Sequence, residues 1–140
     1  MRNDLGGAWE IDTARELASA TARLLEDGKG EKVVVLSVGE MTLIADYFVI
    51  ASGASQRHVK ALADRVLEGI RDEDERKPHH VEGLGSSYWI LLDYGDVVVH
   101  VFREAERAFY GLERLWGDAP RLERPPLETH REEETPSLKQ

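Results

Sequence analysis

The stretch Trp89-Ile-Leu-Leu-Asp-Tyr-Gly-Asp-Val-Val-Val-His-Val-Phe102 decides how this chain folds. Two apolar runs flank Gly95-Asp96, a dipeptide suited to a two-residue hairpin turn. That turn pairs Tyr94 with Val97 and sets the register of two arms, residues 88–93 and 97–102. One face then carries Tyr88, Ile90, Leu92, Tyr94, Val97, Val99 and Val101, and is apolar enough to lie under helices. The opposite face carries Trp89, Leu91, Asp93, Val98, His100 and Phe102. Trp89 falls across from Phe102, and His100 lies diagonal to Asp93, within reach of long side chains. Two readings of this mixed face stand side by side. Either a loop folds over it and His100 sits satisfied in a second core, or the face is free and grips a partner.

The flanking sequence supplies the other elements. Asp12 can cap a helix in which Ala14, Leu17, Thr21, Leu24 and Leu25 recur at helical spacing until Gly28. Val33-Val-Val-Leu36 and Tyr47-Phe-Val-Ile-Ala51 read as buried strands. Ser52-Gly53-Ala54-Ser55 marks a turn and cap for a helix with Val59, Leu62, Ala63, Val66 and Ile70 on one stripe. His79-His80-Val81-Glu82 reads as a short edge strand. After the hairpin comes a last helix, expected to turn Ala105, Ala108, Phe109, Leu112 and Trp116 inward and to leave Tyr110 and Arg114 accessible. The order α, β, β, α, β, β, β, α predicts an α/β (α+β) domain: a mixed five-stranded sheet with about three helices, mainly on one face. Residues 1–11 read as a flexible leader, 12–119 as the domain, and 120–140 as a flexible acidic tail. The tail holds Pro125, Pro126, Pro136 and three consecutive glutamates, too few apolar groups to offset the entropy of ordering.

Charge narrows the choice of partner. Acidic residues number 27 against 18 basic ones in 140, a net charge of -9. A polyphosphate would on average be repelled, so direct nucleic-acid contact requires a local basic patch. A basic protein partner suits the sign better. There are no cysteines, which removes disulfide, thiolate and zinc-cysteine chemistry. No signal-peptide run or membrane-length apolar stretch is visible, so a soluble, cytoplasmic protein without membrane contact is expected.

Chemistry finds little support. Ser86 and Ser87 lie several residues from His100 along the hairpin, with no Gly-x-Ser-x-Gly elbow. His79 and His80 point to opposite strand faces, so at most one joins His100, short of the three or four ligands a zinc site needs. The helix start at residues 52–57 could favour an anion, but it lacks the phosphate-loop and dinucleotide patterns. No cofactor and no metal are expected. A nucleotide-using enzyme with its anion site there remains the alternative.

Several separated blocks carry a family likeness. They are Asp46-Tyr-Phe-Val-Ile-Ala-Ser-Gly53, Ser55-Gln-Arg-His-Val59, His80-Val-Glu-Gly83, the hairpin Trp89–Phe102, and Arg107-Ala-Phe-Tyr-Gly-Leu-Glu-Arg-Leu-Trp116. From Ala14 to Ala119 the chain resembles the ribosomal silencing factors, also called Iojap-like. The resemblance implies a small mixed-sheet protein, distantly similar to nucleotidyltransferases but without a known catalytic centre. It implies binding to the large ribosomal subunit through the ribosomal protein numbered fourteen in the large-subunit series. That contact lies where the small subunit docks, so occupying it keeps the subunits apart and lowers translation when nutrients are scarce. Free members are often homodimers. The family's hairpin aromatic falls on Trp89 and its last-helix tyrosine on Tyr110. With Leu91 and His100 on the same face as Trp89, and Asp93 and Glu113 offering charge, these six residues form the expected contact set. The leader and the tail are read as lying outside the family pattern.

Overall fold

A computed structural model describes residues 13–122. Thr13 caps the first helix, α1 (Ala14–Asp27), by accepting from the N–H of Glu16 at 3.1 Å. The expected cap, Asp12, lies outside the described residues, as does the leader. Strands β1 (Glu31–Ser37) and β2 (Tyr47–Gly53) follow. Then come α2 (Gln56–Asp74), the short β3 (His80–Glu82), β4 (Trp89–Asp93) and β5 (Val97–Arg103). The strands form one sheet in the order β1-β2-β5-β4-β3, in which β2 and β5 run parallel and every other pair antiparallel. This is the mixed five-stranded sheet that the pattern of runs and turns implies.

The hairpin adopts the expected register. The N–H of Tyr94 donates to Val97 O at 2.9 Å, and Trp89 stands opposite Phe102. The arms' apolar face packs under α1 and α2 in one core with Ile90, Leu92, Val99 and Val101. Helix α2 contributes the stripe Val59, Leu62, Ala63, Val66 and Ile70, all buried. Each Val, Leu or Ile so buried contributes about 1.5–3 kcal/mol. Tyr88, at the end of that face, is exposed instead, beneath the guanidinium of Arg103 at 4.6 Å.

The second face holds a smaller core of its own. Leu36, Val38, Phe48, Ile50, Val98 and Phe102 are buried there with Ala119, and Trp89, Leu91, Leu112 and Trp116 pack against them half-buried. Its roof is the C-terminal part of the domain, which is two helices and not one: α3 (Glu104–Tyr110) and α4 (Leu112–Leu115). Gly111 separates them at φ 60, a left-handed position that closes α3 through its N–H to Arg107 O. A Cβ at Gly111 would lie 2.6 Å from the Arg114 guanidinium. The break resets the helical phase, and this overturns part of the inward set. Leu112 and Trp116 do face the sheet, but Ala105, Ala108 and Phe109 are exposed, Phe109 by 78%, and the buried residue of α3 is Arg107.

Past α4 the chain returns to the sheet. Ser37 N donates to Pro120 O at 2.7 Å, Leu122 N to Val35 O at 2.8 Å, and Leu36 bridges to Arg121. The first residues assigned to the tail thus cover the outer edge of β1, an edge that would otherwise present unpaired backbone groups. Residues 123–140 lie outside the described part.

Candidate functional site

Where the roof of the second face ends, a run of aromatic rings reaches the surface. Trp89 stacks on Phe102 with centroids 4.8 Å apart and meets Tyr110 at 4.8 Å with the rings tilted by 45°. Tyr110 meets Phe109 edge-on at 5.1 Å. Inward from Trp89, His100 meets Phe48 at 5.1 Å, and Phe48 meets Trp116 at 5.3 Å. These offset and edge-on arrangements suit the ring quadrupoles. Exposure grades along the run: Phe102 is sealed, Trp89 is half-buried, and Tyr110 is 53% exposed. Sequence spacing identified Trp89 and Tyr110 separately; the turn of the chain after β5 makes them one surface. Leu115 and, on the loop between β1 and β2, Leu43 and Ile44 are further exposed apolar side chains.

Four of the six expected contact residues are placed where a partner could reach them. Trp89, Leu91 and Asp93 alternate along β4 on the second face, each half-buried, and Tyr110 projects from the end of α3. Asp93 Oδ1 accepts from Gly95 N at 2.8 Å, so part of its carboxylate is committed to holding the turn.

His100 corrects the expectation. It is 4% exposed, enclosed by Phe48, Trp89 and Phe102, and offers no surface. Its Nδ1 accepts from the Trp89 indole N–H at 3.2 Å, while Nε2 is buried without a partner among the described residues. Because the indole can only donate, the imidazole proton must sit on Nε2. Burial pushes the His100 pKa from 6.5 down to about 4, keeping the ring neutral.

Glu113 is the second correction. Its carboxylate accepts from Arg107 Nε at 2.9 Å and from Arg107 Nη2 at 3.0 Å, and Arg121 lies 3.6 Å away. The Arg107 guanidinium holds its carboxyl below the usual range. That charge is spent inside the fold. Arg107 is the functional-looking group that sequence patterning missed. It also donates to Ser52 Oγ at 2.8 Å, Lys32 O at 2.8 Å and Glu31 O at 3.3 Å. Those carbonyls belong to a bulge in β1, where Lys32 takes φ 51 and two residues face one of β2. Lys32, Arg107, Arg114 and Arg121 line one open groove with Glu104 and Glu113, but three of the four cations are already ion-paired there.

The remaining chemical candidates stay apart. His79 and His80 flank the start of the edge strand β3, with β4 between them and His100. Among the described residues no three His, Asp, Glu or Cys side chains form a metal-binding group. At the start of α2, Ser55 Oγ takes the N–H of His58, and His58 Nδ1 takes the N–H of Ala54. Two of the N–H groups an anion would use are therefore engaged. Among the described residues no helix is long and apolar enough to cross a membrane.

Fold and surface together define a small α/β domain with a run of packed aromatic rings that reaches solvent. Comparison with known proteins gives this class a family. A family model described as ribosomal silencing factor during starvation matches residues 11–140, and the chain belongs to that family. The match runs through residue 140, so the segment after Pro120 falls inside the family pattern, contrary to the sequence expectation. A protein named ribosomal silencing factor RsfS from Halalkalibacterium halodurans is 43% identical over 78% of this chain and 92% of its own length. Its counterpart in Bacillus subtilis is 40% identical over 76% and 89%. A crystal structure of a Chromobacterium violaceum protein superposes with a TM-score of 0.73 at 34% identity, covering 82% of this chain and 92% of that one.

Proposed function

We propose that this chain is a ribosomal silencing factor that acts by occlusion, as a regulator of translation and not as an enzyme. It docks through Trp89, Leu91, Asp93 and Tyr110 on the large ribosomal subunit, on the basic ribosomal protein numbered fourteen in the large-subunit series. Bound there, it blocks joining of the small subunit and lowers translation when nutrients are scarce. Free chains pair as homodimers, and direct contact with nucleic acid is minor.

The observation that carries this reading is the half-exposed pair Trp89–Tyr110, backed by a packed core. Tryptophan and tyrosine dominate interface energetics because they bury much area with little rotamer freedom to lose. The net charge of -9 favours approach to a basic protein. Family membership and the names of the relatives point the same way.

The test is co-sedimentation with purified large subunits, with subunit joining followed by light scattering. Loss of an aromatic anchor costs about 2 kcal/mol of binding, roughly thirtyfold in affinity. Trp89→Ala and Tyr110→Ala should each show that loss and should fail to block joining. Tyr110 is the cleaner site, since its exposure makes a folding defect small. Parental binding by both variants would end the proposal.

A further inference from the structure

The second core contains a polar group that its own packing does not need. His100 is ringed by Phe48, Trp89 and Phe102, and its Nε2–H is buried without an acceptor among the described residues. A buried donor left unpaired opposes folding, and a phenylalanine of similar volume would carry no such group. What histidine alone provides here is the acceptor at Nδ1, 3.2 Å from the Trp89 indole nitrogen. Stacking on Phe102 fixes the plane of the indole, but stacking has no preference for which edge of that plane points inward. The hydrogen bond does. It turns Nε1 toward His100 while the ring packs against Tyr110.

We infer that His100 is a positioning residue: it holds Trp89, and through it Tyr110, in the one orientation that the docking partner reads. The inference rests on the docking role proposed for Trp89. It names a determinant beneath the contact surface that never touches the partner.

Three substitutions separate this from a purely structural role. His100→Phe keeps volume and ring stacking but removes the acceptor. His100→Asn can place its amide oxygen near the position of Nδ1, whereas His100→Gln carries its oxygen one bond too far. Two quantities are read on each folded variant. One is affinity for purified large subunits. The other is the Trp89 indole N–H resonance, identified by its absence from Trp89→Phe, with its exchange rate. His100→Phe should melt no lower than the parent, yet bind about tenfold more weakly and lose the slowly exchanging indole proton. His100→Gln should lose the same two properties. His100→Asn should retain both, although its thermal midpoint is lower. A more stable protein that binds worse, beside a less stable one that binds well, is an outcome packing alone does not produce. Parental affinity in both His100→Phe and His100→Gln overturns the inference, as does a loss in His100→Asn equal to theirs. If Trp89→Ala also binds like the parent, the docking reading itself has failed. If Trp89→Ala weakens binding and neither His100→Phe nor His100→Gln does, the positioning role alone has failed.

Discussion

Replacing Arg107 with leucine should damage this fold more than any other loss of one surface-type side chain. Its guanidinium makes two bonds to Glu113 and one each to Ser52 Oγ, Lys32 O and Glu31 O, and so ties α3 and α4 to the bulge of β1 and to β2. Removing one partner of a buried, hydrogen-bonded ion pair costs about 3–5 kcal/mol, because the other charge stays behind unpaired. The Glu113 side chain is 28% exposed and can recover some hydration, which places the cost near the lower limit, about 3 kcal/mol. For a chain of this length that is a fall in thermal midpoint of about 10–12 °C. Arg107→Lys should recover only part of it, since an ammonium cannot span the carboxylate and two carbonyls in one plane. The assay is urea unfolding of the parent, Arg107→Leu, Glu113→Gln and the double variant. A coupling energy of about 1.5–3 kcal/mol between the two positions is expected. A loss under about 1 kcal/mol in Arg107→Leu would show that the network is decoration, and the argument from burial would be wrong.

Two further predictions follow from named atoms. His100 stays neutral in the fold down to about 4, whereas in the unfolded chain it takes up a proton near 6.5. The unfolded state therefore binds the extra proton between those values, so stability should fall as pH drops from 6.5 to 4, by on the order of 3 kcal/mol. Urea unfolding across that range should show the slope, and His100→Phe should flatten it; an unchanged slope would refute the assignment to His100. Glu113, held low by Arg107, adds its own loss only below the ordinary glutamate range. Gly83 sits at φ 89, and a Cβ there would lie 2.0 Å from Trp89 O. Gly83→Ala combines left-handed strain with a backbone clash at Trp89, and should cost about 3 kcal/mol by the same assay and, on the proposed docking role, weaken ribosome binding. Near-parental stability would mean that the approach of Gly83 to β4 is loose.

Some elements announced themselves because two independent signals agreed. In α2, Val59, Leu62, Ala63, Val66 and Ile70 recur at helical spacing between charged residues, and Ser55 supplies the cap, so stripe and boundary were both legible. In the hairpin, Gly95 at φ 97 sets a tight turn that the alternation of side chains then extends to Trp89 and Phe102. The last helix failed on a single residue. Gly111 reads as one tolerated glycine in a helical pattern, yet it ends α3 and shifts the phase, exposing Phe109 and burying Arg107. Glycine directly after Phe109-Tyr110 was the available cue, since helices commonly close on a left-handed glycine. The burial of Arg107 could not be read from its neighbours. It depends on carbonyls freed by a bulge 75 residues earlier in the chain.

The candidate site shows the same division between local and long-range information. The alternating pattern put Trp89 on the face away from the helices, but whether that face was free or covered depended on where the chain went after β5. It is partly covered, so the mixed face divides into a second core and an accessible rim. His100 and Phe102 lie in a core, while Trp89 and Tyr110 stand at its rim. This arrangement has an energetic consequence. An aromatic side chain alone on a flat sheet would lose rotamer freedom on docking, at about 0.5–1.5 kcal/mol per ordered side chain. Trp89, held between Phe102 and Tyr110 and bonded to His100, has already lost that freedom during folding. On the proposed docking role, the stability of the domain bears the cost of ordering and the interface receives the benefit. For the proposed docking role a partial roof serves better than a full one or none: complete cover would remove the contact, and an open face would leave the ring unordered until the partner arrived.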